Sequence, residues 1–97
     1  MKSVNEDQFT KEVLESSEPI LVDFYATWCA PCRSMLGLLS SMTDEYNIVK
    51  VDIEECPNLA SIYKVSSVPT FVLFKDGDPV KTLNGVQSKS AIADMFN

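Results

Sequence analysis

Trp28-Cys29-Ala30-Pro31-Cys32 is the stretch on which the fold turns. It follows an apolar run, Ile20-Leu21-Val22-Asp23-Phe24-Tyr25, and precedes a helical pattern that starts near Arg33. Two thiols three positions apart at a strand-to-helix junction can close a small disulfide ring with little backbone movement. Cys29 is expected at the helix N-terminus, where unpaired N–H groups and the macrodipole favour an anion. That placement lowers a thiol's pKa and supplies thiolate near neutral pH. Cys32 falls about one turn inside the helix, where it can attack Cys29 once that sulfur is bound to another. Pro31 suits the first helical turn, having no N–H to lose and a preset φ. The pattern reads as a dithiol that exchanges with external disulfides.

Other uses of such a pair fit less well. A structural zinc site wants four Cys or His ligands, usually two such pairs. The chain has no histidine, and its only further cysteine is Cys56. Neither a metal nor an iron–sulfur cluster is expected, and no other cofactor is implied. A static disulfide across so small a loop would remove little chain entropy. With no partner in the sequence, Cys56 is expected to be a passive or surface thiol.

The 97 residues suffice for one domain, 1–97, able to bury roughly 60–65% of its unfolded surface. A net charge of −6 repels nucleic acid and anionic membranes, so neither is an expected partner. Met1 to Asp7 has no apolar signal-like segment, and no run approaches the roughly 18 apolar residues of a membrane span. A cytoplasmic location is the resulting expectation. In a reducing compartment a cysteine pair is catalytic more often than structural.

Around the cysteine pair the rest of the chain alternates strands and helices. Lys2 to Val4 suits a short edge strand. Asn5 with Gln8 forms a capping box for a first helix carrying Phe9, Val13 and Leu14 inward, ended before Pro19. Ile20 to Tyr25 reads as a central strand covered on both faces. Alternation points its Asp23 into a covering layer with Leu21 and Tyr25, where a carboxylate is costly unless paired, neutralised or needed. Met35, Leu36, Leu38, Leu39, Met42 and Tyr46 mark a helix, interrupted by Gly37 at a cost of about 1 kcal/mol. Ile48 to Asp52 is the next strand, and its Lys50 is a candidate partner for Asp23. Pro57 opens a short helix with Leu59, Ile62 and Tyr63 expected inward. Thr70 to Lys75 is a strand behind Pro69, Asp76-Gly77 a hairpin turn, and Val80 to Leu83 its return strand, ended by Gly85. Ser88 caps a last helix buried through Ile92, Met95 and Phe96. The order βαβαβαββα predicts an α/β fold, a five-stranded mixed sheet flanked by four helices.

That order, with Cys29-Ala30-Pro31-Cys32 after the second strand, resembles the thioredoxin family over essentially the whole chain. Val22-Asp23-Phe24 is similar to the family's strand with a buried aspartate, and Lys50 falls where the family keeps a lysine. Val68-Pro69-Thr70 resembles its cis-proline loop, and Asn84-Gly85 its glycine beside the dithiol. The resemblance implies that Cys29 is the nucleophile and Cys32 the resolving thiol. It makes Asp23 a buried acid/base for Cys32 and Lys50 the group that tunes it. It also implies a substrate-binding rim of Trp28, Ala30, Pro31, Val68, Pro69 and Gly85, with Val68 offering backbone to a substrate strand.

The resemblance further implies a monomeric protein-disulfide reductase recycled by a thioredoxin reductase, with disulfide targets of the peroxiredoxin and reductase types. Two alternatives are a thioredoxin-fold adaptor that binds without turnover and a thiol oxidase or isomerase. The departures from the pattern are Ala30 where glycine is usual, Gly37 in place of a helix-kinking proline, Tyr25 for a common tryptophan, and the extra Cys56.

Overall fold

The computed structural model describes every residue from Met1 to Asn97. Strands β1 (Lys2–Ser3), β2 (Ile20–Tyr25), β3 (Ile48–Asp52), β4 (Thr70–Lys75) and β5 (Asp78–Asn84) form one sheet in the order β1-β3-β2-β4-β5. β1, β3 and β2 run parallel, whereas β4 and β5 are antiparallel additions. The helices are α1 (Glu6–Phe9, continued by a π-helical turn over Thr10–Leu14), α2 (Ala30–Met42), α3 (Pro57–Ile62) and α4 (Lys89–Asp94). This is the expected mixed sheet, and alternation along β2 divides the core. Ile20, Val22 and Phe24 pack with Phe9, Val13 and Leu59 from α1 and α3. Leu21 packs with Met35, Leu39, Met42 and Ile92 from α2 and α4.

Local sequence sets the element ends. Asn5 accepts from the Gln8 N–H while the Gln8 side chain accepts from the Asn5 N–H, the reciprocal box that satisfies two orphan donors. Helix α3 closes in a Schellman motif: Val65 N–H donates to the Ala60 carbonyl at 2.8 Å and Lys64 N–H to that of Ser61 at 3.2 Å. Lys64 takes the left-handed position there, φ 58°, where glycine is usual. The return strand begins at Asp78, earlier than Val80, and its Pro79 sits opposite Phe74, beside a register shift that accommodates a residue without an N–H.

Two expectations need correcting and a third is narrowed. α2 ends at Met42 rather than running to Tyr46, because turns begin at Thr43; Tyr46 still covers the core by packing on Phe96, ring centroids 4.7 Å apart. Ile62, the last residue of α3, is 63% exposed because a helix this short presents only Leu59 fully to the core. Cys56, expected as a passive or surface thiol, is an unbridged thiol fully buried among Phe9, Val13 and Leu59, the passive case. No helix is long and apolar enough to cross a membrane.

Candidate functional site

The carboxyl end of β2 delivers the chain to the site. Cys29 is the N-cap of α2, in extended conformation, with proline in the first turn behind it. Its sulfur accepts the Cys32 backbone N–H at 3.1 Å, so one orphan donor of the helix is spent on sulfur. The two residues are disulfide-bonded, with Cα atoms 5.2 Å apart, the ordinary range for such a bridge. Both are buried, in a small apolar cluster with Ala26 against Tyr25, Ile53 and Val68.

A loop from the other half of the chain closes over the pair. The Val68–Pro69 peptide bond is cis, and the Val68 carbonyl oxygen lies 3.7 Å from Cys29 Sγ. Gly85 N–H donates to the Pro69 carbonyl at 2.8 Å, and φ of +81° at Gly85 is a conformation that glycine adopts without strain. The Thr70 hydroxyl donates to the Ser67 carbonyl at 2.6 Å and lies 2.9 Å from the Asn84 side chain. These contacts place Val68 beside Cys29 and tie Gly85 to the loop through Pro69. Trp28 is 64% exposed, Ala30 and Pro31 are exposed, Val68 and Gly85 half-buried, and Pro69 buried. Sequence reasoning passed over Val86, which comes after Gly85 and is 61% exposed; an apolar residue next to the predicted rim was the available signal. It also passed over Arg33, whose guanidinium donates to the Thr27 carbonyl at 2.9 Å and so tethers the approach to Trp28.

Asp23 and Lys50 are register neighbours on β2 and β3, on the sheet face that carries α2. Leu21 meets Met35 and Leu39, so Asp23, two residues on, lies under the earlier turn of α2 that holds Cys32. Its side chain is completely buried, and neither oxygen has a hydrogen-bond partner. Burial lifts its pKa to about 7, against the opposing pull of the Lys50 charge. Lys50 does not form an ion pair with Asp23. Its ammonium stands over the Tyr25 ring, 5.3 Å from the centroid, which a sequence cannot disclose because the lysine stem can swing to several sides. Tyr25, Lys50 and Cys32 together line an open cleft of about 250 Å³. No group of acidic, cysteine or histidine side chains is placed to hold a metal ion.

A disulfide capping a helix and faced by a cis-proline loop is an arrangement that known proteins share. The family model described as Thioredoxin matches residues 1–97. The chain belongs to the thioredoxin family. Thioredoxin of Rickettsia felis is 39% identical over 98% of this chain and 94% of its own length. Thioredoxin 1 of Synechococcus elongatus is 42% identical over 98% of this chain and 92% of its own. The structure of a mutant thioredoxin from Halobacterium salinarum superposes with a TM-score of 0.90 at 33% identity, covering 98% of this chain and 86% of that one. The thioredoxin fold and a cysteine pair at bonding distance are the equipment of dithiol–disulfide exchange.

Proposed function

We propose that this chain is a cytoplasmic, monomeric thioredoxin that reduces disulfides of target proteins through Cys29 and is recycled by a thioredoxin reductase. The observation that carries this is the Cys29 sulfur held at a helix N-cap with the Cys32 N–H aimed at it, since a donor pointed at sulfur stabilises negative charge there. In the reduced protein the Cys29 thiolate attacks one sulfur of a target disulfide. A mixed disulfide forms, and the target's other sulfur leaves as a thiolate. Asp23 accepts the Cys32 proton; its pKa of about 7 suits it to give and take protons near neutrality. The Cys32 thiolate then attacks Cys29 Sγ, closes the Cys29–Cys32 bond and releases the second target thiol. Two electrons have passed from the dithiol to the target, and the reductase restores them.

Trp28, Ala30, Pro31, Val68, Pro69 and Gly85 form the docking rim in this reading, with the Val68 backbone pairing to an extended target segment. The experiment is reduction of insulin disulfides with dithiothreitol as electron source. Wild type accelerates it, Cys29→Ser does not, and Cys32→Ser accumulates a target bound through Cys29. A Cys32→Ser protein that captures no target would sink the proposal.

A further inference from the structure

The Lys50 ammonium has neither an ion pair nor a hydrogen bond; its one specific neighbour is the Tyr25 ring. Tyr25 and Asp23 lie two residues apart on one strand and face the same side, and Lys50 is the register neighbour of Asp23. The ring is half-buried and divides two open spaces. On one side it lines the cleft shared with Lys50 and Cys32. On the other it lines a polar cleft of about 250 Å³ with Ser3, Asp52 and Glu55. Two carboxylates able to draw a lysine away are thus set across the ring from the dithiol. Burial, and then the proximity of Asp52 and Glu55, pushes the Tyr25 hydroxyl above its usual range.

We propose that Tyr25 is a positioning residue for the exchange reaction: its ring face keeps the Lys50 charge on the Asp23–Cys32 side instead of releasing it to Asp52 and Glu55. This rests on the reading of Lys50 as the group that tunes Asp23. The physical reason is that a partly desolvated ammonium over an aromatic face gains electrostatic attraction without a carboxylate competing for it. The groups facing this region are few. β2 contributes Asp23 and Tyr25, β3 Lys50 and Asp52, α2 Cys32 and Arg33, and the segment after β3 Glu55, while β4 sets the apolar Phe71 beside Asp23. Arg33 is engaged with the Thr27 carbonyl, which leaves Lys50 as the movable charge.

The test is a carboxyl-carbon NMR titration of Asp23 in the oxidised protein. Tyr25→Leu is expected to raise its midpoint by about half a pH unit, the size of a modest cation–ring attraction expressed as a pKa shift. Tyr25→Phe, which keeps the ring, is expected to hold the wild-type midpoint. In a Lys50→Met background, Tyr25→Leu is expected to add nothing. A second readout comes from wild type without any substitution: the Lys50 side-chain protons next to the ammonium should be shifted upfield by the ring. An unmoved midpoint in Tyr25→Leu, an equal shift in the Lys50→Met background, or no upfield displacement overturns the role of Tyr25. If Lys50→Met itself leaves Asp23 unmoved, the tuning of Asp23 by Lys50 fails as well, so the two failures are told apart.

Discussion

Cys29 and Cys56 both stand at helix N-caps with a proline in the first turn behind them, and only Cys29 belongs to a redox pair. The Cys29 backbone is extended, φ −86° and ψ 110°, which turns its sulfur onto the Cys32 N–H. Cys56 has φ −124° and ψ 59° and makes no side-chain cap bond. Its sulfur points into hydrocarbon beside Phe9 and Val13, and burial with Glu6, Glu55 and Asp52 nearby pushes its thiol above the usual range. A helix N-terminus therefore favours negative charge on sulfur only where the backbone aims that sulfur at a free donor, and both thiols being buried, this is what separates them.

Removing each thiol in turn tests the difference between them most directly. Cys29→Ser should bring insulin reduction down to the uncatalysed rate, whereas Cys56→Ala should leave the rate alone and cost about 1 kcal/mol of stability. In the reduced wild type, alkylation near pH 7 should label Cys29 about 100-fold faster than Cys56. Comparable labelling of the two would show that the donor aimed at Cys29 does not separate them.

Asp23 sharpens the contrast, because an unpartnered carboxylate lies under one helix start and not the other. Its folded pKa of about 7 exceeds the ordinary aspartate value of 3.8, so the folded state holds a proton that the unfolded chain has released. The stability linked to this group is complete below about pH 4 and is lost as pH rises through about 7, by about 4 kcal/mol in all. Urea unfolding of oxidised wild type and Asp23→Asn at pH 4 and pH 8 measures it. The gap between the two proteins should move by about 4 kcal/mol in favour of the variant at the higher pH. A constant gap would mean that Asp23 is ionised without penalty.

The mixed five-stranded sheet, the caps at Asn5, Cys29 and Ser88, and the inward aim of Asp23 were legible because the elements and caps depend on near neighbours in sequence. Alternation along β2 needs only six residues to be read. The meeting of Lys50 with the Tyr25 ring was not legible, since a long flexible stem takes its direction from whatever other strands leave open. The burial of Cys56 was hidden for a related reason: much of the core that encloses it is built from α1, β2 and β4, distant in the chain. Ile62 and Tyr46 went astray at element ends, where a turn more or less of helix decides which side a residue faces.

The far ends of the two helices extend the comparison at smaller magnitude. Lys64 closes α3 at φ 58°, and a side chain at that position carries a steric cost that glycine avoids. Lys64→Gly should therefore stabilise the protein by about 1 kcal/mol, visible as a higher urea midpoint with an unchanged slope.

Gly37 is the counterpart inside α2. It is exposed in the middle of a 13-residue helix, where glycine gives up the most backbone freedom on folding. A methyl group added there would meet nothing within 4 Å, so Gly37→Ala carries no packing penalty to offset the gain. The expected stabilisation is about 0.8 kcal/mol, the helix-propensity difference alone. Insulin reduction should stay at the wild-type rate, because the substitution lies more than one turn beyond Cys32 and leaves the capping bond to Cys29 intact. A stabilised protein with slowed exchange would instead mean that the cysteine pair draws on flexibility from the middle of α2. Cys29 and Cys56 would then differ in the compliance of the helices they cap as well as in where their sulfurs point.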